Sequence, residues 1–375
     1  MFAIQGIGTA TPEHQISQDD AADIAHRLYP VPTNPGDEES GSRVHAIYSK
    51  AGVSTRHSVL LKSSTNGESA RQDFYSHAMS AHDSGPSTEA RMRRYEVEAA
   101  PLVIKAARSA LDDANCDPSR ITHLITVSCS GFAAPGVEFA LIRELDLPAG
   151  TQRTHLGFMG CHAMINAMRV AQAFASSNSQ ACVLVCAVEL CSLHHQYGER
   201  TDQIVANALF ADGAAAIVGQ QATDAPRGNW LVQATGSTVI NDAKDCLSWH
   251  IRDHGFEMSL SPRVPIIIKH TLRPWLESWL AEHRLTVEQV KSWAIHPGGP
   301  RILQACSAAL DLEPAALHYS ESVLAKYGNM SSPTIIFILN ELRKANAEGP
   351  CVMLAFGPGL AIEAALLRSG PSIPK

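Results

Sequence analysis

A cysteine follows a glycine at the start of a strongly apolar stretch, GFMGCHAMINAMRVA (157–171). The spacing of apolar residues after Cys161 predicts a buried helix with the cysteine at its amino-terminal end. Free backbone N–H groups and the helix dipole favour negative charge there, so a thiol at that place ionises more readily. Because the thiolate is the nucleophilic form, Cys161 is a candidate nucleophile. The alternative is an inert cysteine that fills the core as a small apolar residue.

Two further polar residues lie beside glycine-containing turns later in the chain. His296 ends an apolar segment and precedes Pro-Gly-Gly-Pro, a turn of little side-chain bulk that lets a ligand approach the backbone. Asn329 follows Gly328 and precedes a predicted helix that begins near Pro333. Taken singly, each residue has a simpler explanation. For His296 it is a structural role at a strand end, and for Asn329 it is a helix cap.

Cysteine, histidine and asparagine in this chain order also occur in papain-like hydrolases. The local sequence around Cys161 does not fit that class, because no Cys-Gly-Ser/Ala-Cys-aromatic motif is present and the cysteine is far from the amino terminus. A second class of enzyme with the same three residues fits the surrounding sequence better.

Short buried strands and helices alternate along the chain and must position these residues. Runs of small and β-branched apolar residues predict strands at 123–129, 181–189, 213–219 and 351–357. Helical patterns cover 95–114, the stretch after Cys161, and 333–349. FGPGL (356–360) predicts a tight turn between two strands that shapes a cavity wall. The alternation favours a layered α/β fold.

Composition excludes several classes of function. The chain has 375 residues, 45% hydrophobic and 18% charged, with a net charge of −7, which argues against a nucleic-acid partner. The longest apolar run, 181–191, is too short to span a membrane, and no secretory signal precedes it. Nine cysteines without a CxxC pair predict reduced thiols rather than disulfides or a zinc site. We therefore expect a cytoplasmic protein with no metal.

Five motifs, in order along the chain, resemble those of thiolase-fold condensing enzymes. Within that group the sequence is similar to the type III polyketide synthases, the chalcone synthase-like family, and to their bacterial alkylpyrone and alkylresorcinol types. Ketoacyl synthase III enzymes share the cysteine, histidine and asparagine, but lack HPGGP and the carboxy-terminal signature. The matching segments are GFMGC (157–161), ALFADGAAA (208–216), HPGGP (296–300), YGNMSS (327–332) and FGPGL (356–360).

The resemblance implies a duplicated thiolase fold with αβαβα layers, assembled as a homodimer. One half, 1–222, would carry Cys161, and the other, 223–375, would carry His296 and Asn329. Cys161 would load an acyl-CoA starter, with His296 as the imidazolium that stabilises its thiolate. Repeated decarboxylative condensation with malonyl-CoA would follow, then cyclisation to a pyrone or resorcinol-type ring. CoA thioesters are substrates, so no cofactor is expected.

The same resemblance assigns the enolate oxygen of decarboxylated malonyl-CoA to His296 and Asn329 as hydrogen-bond donors. No carboxylate base is needed, because decarboxylation itself generates the carbon nucleophile. Phe210 matches the family phenylalanine that excludes water from this step. Met258 matches a second phenylalanine position. Three cations match positions expected to meet the phosphates of CoA: Lys50, Arg56 and Arg301.

Other cavity positions depart from the plant members of the family. Cys129 replaces a threonine that belongs, with the counterparts of Glu189 and Ser331, to a network steering ring closure. A thiol is a weaker hydrogen-bond partner than a hydroxyl, so the mode of ring closure stays open. The alternative to a role in that network is that Cys129 and Cys191 simply line the cavity.

A small residue, Ala134, stands where plant members have a methionine. Together with Ser130, Cys129 and Cys191, it predicts a narrow apolar tunnel from Cys161, while Trp249 would narrow the pocket used by aromatic starters. We therefore expect medium- or long-chain acyl-CoA starters.

The sequence leaves three alternative functions open. One is a ketoacyl synthase III-like enzyme that performs a single condensation, with an acyl carrier protein as a further partner. Another is a cysteine thioesterase or hydrolase. The last is a catalytically silent scaffold, which the intact Cys161, His296 and Asn329 argue against. The sequence identifies neither the starter nor the number of extensions.

Overall fold

The structure is a computed structural model. Its described part contains thirteen strands and ten α-helices, which together hold most of the chain. That part comprises residues 1–28, 38–63, 72–80, 82–198, 200–225 and 228–371. The strands are β1 (Phe2–Ala10), β2 (Gln15–Ser17), β3 (Thr55–His57), β4 (His123–Ser128), β5 (Gln152–Gly157), β6 (Cys182–Leu190), β7 (Asp212–Gln221), β8 (Trp230–Val239), β9 (Leu247–Arg252), β10 (Gly255–Leu260), β11 (Ser292–Ile295), β12 (Cys351–Gly357) and β13 (Ala361–Ser369). The helices are α1 (Gln18–Leu28), α2 (Glu38–Tyr48), α3 (Thr88–Asp113), α4 (Val137–Glu144), α5 (Ala163–Ser177), α6 (Thr201–Leu209), α7 (Val264–Glu282), α8 (Pro300–Leu310), α9 (His318–Tyr327) and α10 (Thr334–Lys344).

Nine of the strands are hydrogen-bonded in the order β11-β12-β13-β8-β1-β7-β6-β4-β5. The strands of the first half, β5-β4-β6-β7-β1, meet those of the second half where β1 pairs with β8 through only two residue pairs. β4 runs parallel to β5 and β6, and β11 runs parallel to β12. Parallel strands end together, so the residues that follow them gather at one edge.

The alternation of side chains along the strands defines five layers. In β6, Val183, Val185 and Ala187 face one core, while the intervening residues face another. The central core packs α5 and α10 between the strands of the two halves. α3 and α4 cover the outer face of the first half, and α7 and α8 cover that of the second. This α/β/α/β/α arrangement confirms the predicted layered fold.

The predicted elements are present, but two helices have other ends, and the one predicted over 333–349 spans Thr334–Lys344. The four predicted strands are β4, β6, β7 and β12. The predicted helix at 95–114 begins earlier, at Thr88, because the Ser87 side chain accepts a hydrogen bond from the backbone N–H of Ala90 as an N-cap. The FGPGL turn joins β12 to β13, as predicted.

Close packing of β1 on α3 supplies a test of the fold. A methyl group added at Gly8 would lie 2.1 Å from the carbonyl oxygen of Ala106, so Gly8→Ala must push the strand and the helix apart. We expect a loss of about 1–3 kcal/mol in the free energy of unfolding, measured by urea denaturation. Gly150→Ala is the matched control, because nothing lies within 4 Å of its added methyl group. Equal stability of the two variants would contradict the packing described here.

Candidate active site

Cys161 lies in a single 3₁₀ turn, Gly160–His162, directly before α5, which is the position at a helix start that the sequence predicts. Gly160 has φ of 77°, a conformation that favours glycine, and an added Cβ would lie 2.6 Å from Pro358 Cδ. A Cβ at Gly357 would lie 2.0 Å from His162 Cδ2. The FGPGL turn therefore packs directly against the turn that carries the thiol.

His296 follows the last residue of β11 and is buried. Its backbone N–H donates to the carbonyl of Leu354 at 2.8 Å, which continues the pairing of β11 with β12. Neither ring nitrogen of His296 has a hydrogen-bond partner within the described structure. A buried imidazole with both nitrogens unpartnered is costly unless a ligand completes it, so this side chain is available to a substrate.

Asn329 is fixed by its backbone to the end of α6. Its N–H donates to Leu209 at 2.9 Å, and its carbonyl accepts from Ala211 at 2.9 Å. This bridge places Phe210 beside Asn329. The Asn329 Oδ1 accepts from the backbone N–H of Ser331 at 2.8 Å, which leaves the amide nitrogen as the group that can donate to a ligand.

Cys161, His296 and Asn329 line one cavity of about 60 Å³. The fold thus brings together the three residues that the sequence suggested for covalent chemistry, from segments far apart in the chain. The cavity also has most of the predicted lining residues on its wall: Cys129, Cys191, Phe210, Trp249, Met258 and Ser331.

A buried carboxylate lies beneath this cavity. Glu189 accepts hydrogen bonds from the backbone N–H groups of Cys129 and Ser130, from Ser130 Oγ at 2.6 Å and from Ser332 Oγ at 2.7 Å. Burial raises the pKa of Glu189, and these donors oppose that shift. Cys129 Sγ lies 3.3 Å from Ser331 Oγ, so the predicted set of Cys129, Glu189 and Ser331 is adjacent in space.

Burial disfavours a charge on Cys161 alone and a charge on His296 alone. It raises the pKa of the Cys161 thiol to about 11, although hydrogen bonding with Ser331 and Asn329 acts in the opposite direction. It lowers the pKa of His296 to about 3, with nearby His162 as a smaller cause. The helix start therefore does not by itself make Cys161 a thiolate, and the two side chains share no hydrogen bond in this structure.

Sequence reasoning missed two residues, His194 and Phe256, that hold the cavity residue Trp249 in place. His194 stacks on Phe256 with ring centroids 4.1 Å apart, and Trp249 meets both rings edge to face. The His194 Nδ1 accepts from the Phe256 N–H, so its Nε2–H donates to the Ser130 carbonyl at 2.6 Å. Trp249 Nε1 donates to the Cys129 carbonyl at 2.8 Å. No local sequence signal marks His194, because only tertiary packing brings these rings together.

A surface cleft of about 830 Å³ adjoins the cavity and shares Leu209, Leu260 and Gly298 with it. Lys50 and Arg301 both line this cleft and are exposed. They lie where a phosphate-bearing ligand could reach the thiol through the cleft.

The position of Arg56 does not fit the predicted contact with CoA. Arg56 is buried, and its guanidinium donates to the Gln18 side chain and to the backbone carbonyls of Asn207, Ala208 and Phe210. A cation at these carbonyls stabilises the carboxyl end of α6. Arg56 thus supports Phe210 rather than binding a phosphate, a role that only the fold reveals.

The predicted tunnel past Ala134 stays a prediction. Ala134 is exposed and does not line the catalytic cavity. Ser130 is buried, but its hydroxyl donates to Glu189 instead of bordering an open path. The catalytic cavity of the described chain is thus not lined by Ser130 or Ala134.

Comparisons with known proteins agree with this geometry. Residues 2–222 match the family described as chalcone and stilbene synthases, N-terminal domain, and residues 231–371 match its C-terminal domain. The alpha-pyrone synthesis polyketide synthase-like Pks18 of Mycobacterium tuberculosis is 29% identical over 97% of this chain and 90% of its own length.

Two solved structures are also similar. PKS-I from the brown alga Ectocarpus siliculosus has a TM-score of 0.89 at 28% identity, covering 98% of both chains. The C-terminal type III polyketide synthase domain of Steely1, a type I/III hybrid from Dictyostelium, has a TM-score of 0.86 at 26% identity, covering 98% of this chain and 99% of its own.

The chain belongs to the chalcone and stilbene synthase family, whose two domains match nearly all of it. It is a type III polyketide synthase, a transferase that catalyses decarboxylative condensation, and enzymes of this family use acyl-CoA starters and malonyl-CoA. None of the helices in the described ranges is long and apolar enough to cross a membrane.

The Glu189 network gives a second prediction. In Glu189→Gln, an amide N–H₂ must face donors that now bond to a carboxylate oxygen, so we expect a loss of about 2–3 kcal/mol in the free energy of unfolding. Glu96→Gln, at an exposed position on α3, is the control and should change stability by less than about 0.5 kcal/mol. Unchanged stability of Glu189→Gln would show that the carboxylate does not hold the floor of the cavity.

Proposed function

We propose that Cys161 is the nucleophile that carries the growing acyl chain. The observation that supports this most is the small cavity in which the thiol, an unpartnered imidazole and the amide nitrogen of Asn329 meet. Cys161 Sγ attacks the starter thioester carbonyl, the new C–S bond replaces the bond to CoA, and the CoA thiolate leaves with the proton held by His296.

The same site then serves malonyl-CoA. The bond to its carboxylate breaks, CO₂ leaves, and the electron pair becomes an enolate whose oxygen accepts hydrogen bonds from His296 and Asn329. The enolate carbon attacks the acyl group on Cys161, which releases the Cys161 thiolate and leaves the lengthened acyl group as a CoA thioester. Before the next extension, that thiolate attacks the new thioester, and CoA leaves as it did in the loading step. Phe210, beside Asn329, keeps water away from the enolate. Since decarboxylation supplies the nucleophile, the proposed reaction uses CoA thioesters and no resident cofactor.

Joint ionisation of Cys161 and His296 reconciles this mechanism with burial. Each charge alone is opposed by desolvation. Transfer of the thiol proton to the imidazole creates two opposite charges with no net charge, so their attraction offsets much of the penalty. We propose that the two side chains approach and form this pair when a substrate or an alkylating reagent occupies the cavity.

The proposed starter is a medium- or long-chain acyl-CoA, and the proposed product is a pyrone or resorcinol-type ring. Trp249 fills the wall of the cavity, which disfavours a bulky aromatic starter. The name of the relative Pks18 refers to alpha-pyrone synthesis, which supports the first product. Lys50 and Arg301 would hold the phosphates of CoA in the adjoining cleft.

We also propose that the enzyme acts as a homodimer in the cytoplasm. The strand β5 lies at the edge of the sheet with its face half exposed. Large apolar side chains beside it are also exposed, namely Phe132, Phe139 and Met159. Exposed apolar side chains around a free strand edge are typical of a surface that pairs with another chain. Sedimentation as a monomer would contradict this assembly.

The test of the proposed function is a panel of acyl-CoA starters incubated with malonyl-CoA and the purified enzyme, with products identified by mass spectrometry. Products extended by several two-carbon units from medium- or long-chain starters support the proposal. A single extension would indicate a ketoacyl synthase III-like enzyme, and free acid without extension would indicate a hydrolase. A preference for coumaroyl-CoA would overturn the proposed starter.

Variants of the three residues separate the two half-reactions. Cys161→Ala should abolish acyl loading, measured by intact-protein mass spectrometry, while Cys306→Ala, at a buried cysteine away from the cavity, should load normally. Asn329→Ala should still load, but lose about a hundred- to a thousandfold in decarboxylation of malonyl-CoA. His296→Ala should impair both steps. Normal decarboxylation by Asn329→Ala would remove it from the enolate site.

The pH dependence of Cys161 alkylation tests the proposed ion pair. With a joint proton transfer, iodoacetamide should modify wild-type Cys161 readily at neutral pH, as followed on the Cys161 peptide. His296→Ala leaves the buried thiol without a proton acceptor, so its apparent pKa should rise toward about 11 and its reactivity at neutral pH should fall. If wild type and variant both react only at alkaline pH, the thiol stays neutral while the reagent occupies the cavity, and the ion pair is wrong.

A further inference from the structure

A second histidine, His162, directly follows the nucleophile and takes no part in the proposed chemistry. It is buried in the same 3₁₀ turn as Cys161. Although it is the N-cap residue of α5, its ring makes no capping hydrogen bond. Within the described chain it does not line the catalytic cavity. His162 therefore acts on the reaction only through the residues that it contacts.

An asparagine one turn further along α5 fixes the orientation of this imidazole. His162 Nδ1 lies 2.7 Å from Asn166 Oδ1. An amide oxygen only accepts hydrogen bonds, so Nδ1 carries the hydrogen and donates it. Both side chains are buried, and a buried donor or acceptor left without its partner is costly. The hydrogen bond therefore holds the ring in one position.

The fixed ring packs against the end of β12. A Cβ built on Gly357 would lie 2.0 Å from His162 Cδ2 and 2.3 Å from its Nε2, and Gly357 itself lines the catalytic cavity. Three residues earlier on the same strand, the Leu354 carbonyl accepts from the backbone N–H of His296. His162 thus lies between the turn that carries the thiol and the strand that holds the catalytic imidazole.

The His162 imidazole is uncharged at neutral pH. Burial lowers its pKa and Arg169 adds to this, whereas the hydrogen bond with Asn166 and the carboxylate of Glu363 act in the opposite direction. Arg169 and Glu363 form an ion pair with each other. His162 also contributes to the lowered pKa of His296, which shows that the two imidazoles are close. An apolar ring in place of His162 therefore changes no charge near the thiol at neutral or alkaline pH.

We infer that the His162 imidazole, held by Asn166, is a positioning group that sets how closely the catalytic thiol and imidazole approach each other. These two groups belong to Cys161 and His296. The inference rests on the proposed function, because the joint ionisation of the pair needs that approach. Without the hydrogen bond the ring is free to turn and the Gly357 turn shifts with it. A displacement of about 1 Å between reacting groups costs about a hundredfold in rate.

Removing either partner of the hydrogen bond tests the inference. His162→Phe keeps a ring without the donor, and Asn166→Leu keeps the size without the acceptor. Each should lower the maximal rate of acyl loading on Cys161 by about tenfold or more, measured by intact-protein mass spectrometry. The acyl-CoA concentration for half-maximal rate should not change, because the substrate cleft is unaltered. The double variant should be no slower than either single one, since both changes remove the same bond. His270→Phe, at an exposed position on α7, is the control and should load at the wild-type rate.

Alkylation separates positioning from a purely structural role. In His162→Phe, the pH at which iodoacetamide modifies Cys161 should move to the alkaline side, because a buried thiol without a well-placed proton acceptor has a raised pKa. A residue that only supports the fold would change the melting temperature and leave this pH profile in place, which would overturn the inference. Wild-type loading rates in both single variants would overturn it as well. If the profile moves as expected but wild type loads no acyl-CoA, the positioning role stands and the proposed function fails.

Discussion

The contact between two turns, one from each half of the chain, holds the active site together. Gly160 lies against Pro358, and Gly357 lies against His162, at distances that exclude a side chain on either glycine. These contacts fix the thiol of Cys161 relative to the hairpin of β12 and β13. His296 follows the strand that pairs with β12, so the same hairpin also sets the position of the imidazole. Without this close approach the cysteine and histidine would belong to separate surfaces.

The contact between the two turns also buries the active site. The site is closed so tightly that ionisation of Cys161 or His296 alone is disfavoured, yet the chemistry needs a thiolate and an enolate. In this structure the His296 imidazole is neutral and has no hydrogen-bond partner among the described residues, so it is available to a substrate that enters the cavity. The Glu189 carboxylate remains separate, because four protein donors already hold it below the cavity. The charges of the reaction therefore form only where substrate completes them.

The sequence predicted the layers and the three central residues, because periodicity and glycine-flanked motifs are local signals. Cys161 before α5, His296 after β11 and the FGPGL turn all lie where those signals place them. Arg56 and Ala134 could not be assigned in this way. Whether an arginine reaches solvent or the end of α6, and whether an alanine borders a cavity, depends on packing between distant segments. The stacking of His194 on Phe256 was missed for the same reason.

The central claim is that one thiol carries the chain through every extension. It is tested most directly by rapid quenching of the enzyme during turnover with an acyl-CoA and malonyl-CoA, followed by mass spectrometry of its cysteine peptides. The Cys161 peptide should carry the starter first, and then the same starter lengthened by successive two-carbon units. An extended acyl group on Cys129, Cys191 or any other cysteine, or a Cys161 peptide that never carries more than the starter while extended product accumulates, would contradict it.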